Sequence, residues 1–137
     1  MSLSQTLTTS FKQQLLQGVH DFDTDTFYMA LYTASADLSA TTTVYTATEE
    51  VVGTGYTAPG IVMTGISVSV TDATAFVNFS NVVWTAALTA RGALIYNSSK
   101  SNKAVAILDF GADKTSTTTF TVAMPTNSST SALIRLP

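Results

Sequence analysis

TARGALIYNSSKSNKAVAILDFG, residues 89–111, is the stretch whose reading decides the fold. Two apolar segments, Ala93 to Tyr96 and Ala104 to Phe110, flank a polar tip from Asn97 to Lys103. Apolar runs this short, bounded by turn-forming residues, read as strands, and the pair reads as a β-hairpin. Gly92 at its entrance suits a bulge or a close backbone approach. Neither arm carries a group equipped for chemistry, so the hairpin is scaffold. Arg91 stands apart from this pattern, because a guanidinium among apolar strands needs an acidic mate. Asp109 on the returning strand is one candidate, and an acidic group on another subunit is the other.

Outward from the hairpin the period of two persists. Phe27, Met29 and Leu31 alternate with Tyr28, Ala30 and Tyr32, a strand with both faces partly apolar. Ile61 to Val70 reads as one strand, with Ile66, Val68 and Val70 alternating against Ser67 and Ser69. Ala75 to Phe79, Val82 to Trp84, Phe120 to Met124 and Ala132 to Leu136 follow, separated by the turn clusters 71–74, 115–119 and 125–131. Many short strands with regular turn signals indicate an all-β fold, an antiparallel β-sandwich of jelly-roll-like type. One helix precedes them. Leu7, Phe11, Leu15 and Leu16 share a helical face, Ser4 or Thr6 is placed to cap it, and Gly18 is placed to end it. This helix either packs on its own sheet or docks on a neighbouring subunit. The whole chain, 1–137, therefore reads as one domain, with an N-terminal helix in 1–18 and a sandwich in 19–137. Within the sandwich, Thr33 to Gly60 forms a polar connection long enough to suggest a functional or partner-bound role.

Composition narrows the function. Charged residues make up only 11% of the 137 residues, less than half the usual ~25%. Ser and Thr replace them, giving a polar surface that costs little to desolvate against another protein. The net charge is −3, and six Lys and Arg lie scattered, so no basic cluster exists for a nucleic-acid backbone. No apolar run approaches a membrane span, and the N-terminus lacks the basic start and apolar stretch of a signal peptide. The chain has no Cys, which removes disulfides and thiolate metal sites.

The candidates for chemistry are few. His20, the single histidine, has Asp21 and Asp23 beside it, but no nucleophile elbow is present, so a hydrogen-bonded junction residue is the preferred reading. Asp21, Asp23 and Asp25 resemble the start of a calcium loop, yet Thr26 and Tyr32 stand where that loop needs Gly and Glu. Their alternation instead suggests one solvated strand face. Trp84 with Tyr28, Tyr32, Tyr45, Tyr56 and Tyr96 offers material for a sugar platform, though Trp84 in its VVW strand reads as core. Lys100 and Lys103 in the tip, with Lys114, are placed to meet an acidic partner. No catalytic residue, cofactor or metal is assigned, and the reading is of a protein that is not an enzyme.

Five segments carry a resemblance: TSFKQQLLQGVHDF, TDTFYMALYTASADL, TTTVYTATEEVVGTGYTAPG, TARGALIYNSSKSNKAVAILDFGADK and FTVAMPTNSSTSALIRL. On these the chain resembles small virion structural proteins of tailed bacteriophages, and among them capsid cement, or decoration, proteins. Ile61 to Ser80 lies outside the resemblance. It implies a β-sandwich on the outer capsid surface of the virion, made in the host cytoplasm, with the major capsid protein as partner and self-association as dimer or trimer. The contact residues expected are Phe11 and Leu15 on the helix, Tyr45 and Tyr56 in the long connection, and Arg91. The alternative is a tail or fibre module binding host glycans, with Tyr56 beside Glu49 or Glu50 as its platform.

Overall fold

The computed structural model describes residues 3–137; Met1 and Ser2, at the head of the expected N-terminal segment, lie outside the described residues. In chain order the elements are β1 (Thr6–Leu7), α1 (Thr9–Leu16), β2 (Phe27–Tyr32), β3 (Ile61–Val62), β4 (Ser67–Thr71) and β5 (Thr74–Asn78). They continue with β6 (Val82–Trp84), β7 (Thr89–Asn97), a 3-10 turn at Ser98–Lys100, β8 (Lys103–Thr115), β9 (Phe120–Val122) and β10 (Ile134–Leu136). The chain forms the all-β sandwich with one helix that its periodicity predicts. Its strands group as a five-stranded sheet in the order β1-β8-β7-β2-β3, a three-stranded sheet β10-β5-β4 and a pair β6-β9, rather than the four-and-four of a regular jelly roll. All the paired strands run antiparallel.

The opening hairpin is the centre of the large sheet. β7 pairs with β2 on one side and β8 on the other. Along β2 the alternation separates two cores. Phe27, Met29 and Leu31 face the main core with Ala93, Ile95 and Val105, while Ala30 and Tyr32 face a second core with Leu94, Tyr96, Ala104 and Ile107. A register shift opposite Ile95 and Tyr96 leaves Val105 as an extra residue, so Val105 and Ala106 both join the main core. The main core is closed by Phe11 of α1, Phe79, Trp84, Phe120 and Ile134 from the other sheets. Trp84 is buried there, as its apolar strand suggests.

Three boundaries differ from the sequence reading. The helix starts at Thr9, not at Ser4 or Thr6, because Thr6 and Leu7 pair with Ile107 and Ala106 as β1. Thr8 is the cap, its Oγ1 accepting the Phe11 N–H at 3.1 Å. Leu16, counted on the apolar helix face, is 91% exposed. The expected strand from Ile61 to Val70 is two strands in two different sheets. Gly65 makes the crossing at φ +64, with no room for a side chain, since a Cβ there would meet Ser80 Oγ at 1.9 Å. Asp21 to Asp25 is a turn and not a strand face.

The long connection does not reach away from the domain. It lies over the outer face of the five-stranded sheet, where Ala36, Leu38 and Tyr45 complete the second core. Backbone bonds tie it down at intervals: Ser4 N–H to Leu38 O at 3.0 Å, Ala104 N–H to Thr43 O at 2.9 Å and Val51 N–H to Leu31 O at 2.9 Å. Among the described residues no helix is long and apolar enough to cross a membrane.

Candidate functional site

Each polar cluster the sequence singles out is bonded within the chain. His20 packs its ring 5.0 Å from Phe11, with Nε2 2.9 Å from Gln14 Oε1 and Nδ1 3.0 Å from Asn97 Nδ2. An amide N–H donates, so Nδ1 is the acceptor and Nε2 carries the proton that goes to Gln14. Burial lowers the pKa of His20 below its ordinary value, outweighing the nearby Asp25 carboxylate, which raises it. Neither ring nitrogen faces a serine hydroxyl in this arrangement. Asn97 also donates to Asp25 Oδ2 at 2.8 Å, and Lys100 Nζ meets Asp25 at 2.7 Å. Burial alone would raise the Asp25 carboxyl; the bonds from Lys100, Asn97 and the Asp21 N–H together hold it below its usual range. The three aspartates are spent on the turn itself, with Asp21 Oδ1 accepting the Asp23 N–H at 2.9 Å. Among the described residues no group of three or more His, Cys, Asp or Glu is placed to hold a metal ion. The hairpin tip is thereby clamped to the helix–strand junction by side chains from α1, the 20–25 turn and the tip.

A second cluster is built on Glu50. The hydroxyls of Tyr45 and Tyr56 donate to its two carboxylate oxygens, and Tyr56 Oη in turn accepts the Leu31 N–H at 3.0 Å. Tyr32 donates to Thr46 O and Tyr96 to Pro59 O, each at 2.6 Å. Burial, then Glu50, pushes the Tyr45 and Tyr56 hydroxyls well above their ordinary range, so they remain donors. This corrects two expectations. Tyr56 is buried against Trp84 and is not a partner contact, and the Tyr56–Glu50 pair is an internal clasp with no platform facing solvent for a glycan. Phe11 is also withdrawn from the contact set, because it is fully buried in the main core. Tyr45 is half-buried on Glu50. Arg91 is half-exposed and pairs within the chain, Nε to Asp109 Oδ1 at 3.3 Å. The Gly111 N–H, with Arg91 beside it, holds Asp109 below the usual carboxylate range.

What remains open to a partner lies elsewhere. Between the end of α1 and one face of the three-stranded sheet runs a groove of about 340 Å³. Leu15, Phe22, Val68, Ala75, Val77, Ile134 and Leu136 form its apolar walls, and His20, Asp21 and Asp23 its polar rim. Strand pairing explains the apolar floor. Val68 and Ile134 flank Val77 in one row, and Val70 and Leu136 flank Ala75 in the next. Phe22 reaches the first row's end of the core, while the second row is bare: Val70 is 69% and Leu136 53% exposed. Leu15 is thus the one helix residue of the expected contact set that lines an accessible surface. Val68, Val70 and Leu136 were not singled out. Alternation places them on one face, but nothing local says whether another layer covers that face.

No protein-family model, curated protein sequence or solved structure matches the chain. The site must therefore be read from its own chemistry: apolar walls, few charges, and polar groups already satisfied internally.

Proposed function

We propose that the chain is a phage virion structural protein, a capsid cement protein that binds the major capsid protein on the outer surface of the shell. The observation that carries this reading is the uncovered apolar groove beside α1, on a chain whose charged fraction is only 11%. Such a surface gains by burial against a protein and loses little in desolvated charge. The resemblance of five segments to decoration proteins supplies the identity of the partner. The mechanism is mechanical: binding the assembled shell, and not its separated subunits, stabilises the shell by mass action. Many copies multiply a modest contact energy, and the symmetry of the shell lets one surface serve every copy.

The test is to mix the purified protein with expanded, undecorated capsids. Stoichiometric binding that raises the disruption temperature of the capsid is the expected result, and Leu15→Asp with Leu136→Asp removes it. Binding confined to tails or to host cells sinks the reading.

A further inference from the structure

β4, Ser67-Val68-Ser69-Val70-Thr71, is an outer strand of the three-stranded sheet, hydrogen-bonded on one side only, to β5. Native proteins commonly protect such an edge with charge, proline, a bulge or a covering loop. β4 contains no charged residue and no proline, and its register with β5 is continuous from Ser67 to Thr71. Thr71 pairs with Thr74 across a two-residue loop, so the residues flanking the loop bond to each other. Alternate residues of an antiparallel strand point to opposite edges. Ser67, Ser69 and Thr71 therefore face β5, and Val68 and Val70 present their N–H and C=O groups to the open side.

We propose that β4 pairs with the β4 of a second copy of this chain, antiparallel about a two-fold axis at Ser69. The strand is chemically palindromic, and this register alone matches every position with its like. Ser69 meets Ser69, Val68 meets Val70, and Ser67 meets Thr71. Val68 and Val70 of each copy form the hydrogen-bonded pairs, so the outward backbone groups of both strands are satisfied together. On the groove face, the row Leu136–Ala75–Val70 of one copy continues into the row Val68–Val77–Ile134 of the other, joining two half-bare sheets into one of six strands. No like charges approach: Asp72, the nearest on the strand's loop, sits at opposite ends of the pairing, roughly 20 Å apart. The axis is perpendicular to the sheet, so both grooves stay on the same face. This pairing does not depend on the capsid reading. Five residues of edge make a small interface, so a concentration-dependent equilibrium is expected and not a permanent dimer.

The chain has no cysteine, so one introduced thiol reports a single position. Residues opposed at a non-hydrogen-bonded site lie about 4.5 Å apart at Cα, within the span of a disulfide. Under mild oxidation the full-length Ser69→Cys variant is expected to form roughly tenfold more covalent dimer than Ser67→Cys, which would face Thr71, or Val83→Cys on another sheet. Cross-linking at Ser69 no greater than at those two positions overturns the proposal. Val70→Pro removes an N–H that makes no bond to β5, and is expected to abolish the dimer seen by sedimentation while leaving the melting curve in place. A dimer that survives Val70→Pro lies on another surface and also overturns it. If the proline disturbs the fold, Val70→Lys, at an exposed side chain, is read in the same way.

Discussion

The five-stranded and three-stranded sheets of this protein use similar residues to opposite ends. The large sheet is covered on both faces, by the sandwich core on one side and by the Thr33 to Gly60 connection on the other. The small sheet is covered in part on its groove face and left open along β4. Valine, alanine and leucine dominate both, so composition does not separate scaffold from surface. Coverage does. The lesson is that the long connection, the feature most suggestive of a partner, has a partner already: the sheet beneath it.

The comparison breaks first, and furthest, at the large sheet. Phe27→Ala removes a fully buried ring stacked 4.7 Å from Phe22 and is expected to lower stability by about 3–5 kcal/mol in a denaturant titration. A cost below about 1 kcal/mol would show the main core to be loosely packed. Next comes the clasp that holds the connection in place. Glu50→Ala leaves the hydroxyls of Tyr45 and Tyr56 without their acceptor and is expected to cost about 2 kcal/mol, with faster hydrogen exchange across residues 43–51. Exchange unchanged there would mean the apolar contacts of Leu38 and Ala36 hold the connection without the clasp.

A smaller effect sits where the two regions meet. His20 is neutral in the fold, and its pKa is lowered from the usual 6.5. The unfolded chain takes up that proton first, so the stability His20 contributes is full above pH 6.5 and is lost as pH falls toward its folded pKa. Melting temperature should decline between pH 7 and 5, and His20→Gln should flatten that decline; an equal slope in both proteins would remove His20 as its cause. The smallest effect is expected on the small sheet. Val70→Ser changes an exposed residue and should shift stability by no more than about 0.5 kcal/mol, in contrast to Phe27→Ala. A larger loss would mean that Val70 is covered in solution, as it would be across a paired edge.

Much of this fold was legible because hairpins are local. Ala93 to Tyr96 and Ala104 to Phe110 announce their pairing by polarity alone, and β2 announces its two buried faces by having no polar one. The break at Gly65 was not legible: Ile61 to Val70 keeps a strand-like pattern, and only the nearness of Ser80 shows why the chain turns there. The candidate site was legible in one residue, Leu15. Phe11 and Tyr56 were misplaced for a single reason, that apolar and aromatic residues announce burial without naming what buries them.

By itself the sequence determined which residues alternate, where the turns fall, and that no cysteine cluster or basic patch exists; these are properties of spacing and composition. Tertiary structure alone decided that the long connection is a lid on its own sheet, that His20 and Glu50 are satisfied within the chain, and that β4 ends its sheet with an open edge. The physical reason is that burial and hydrogen-bond satisfaction depend on segments distant in the chain. A period of two assigns a side chain to a face, and only packing settles whether that face meets protein or water.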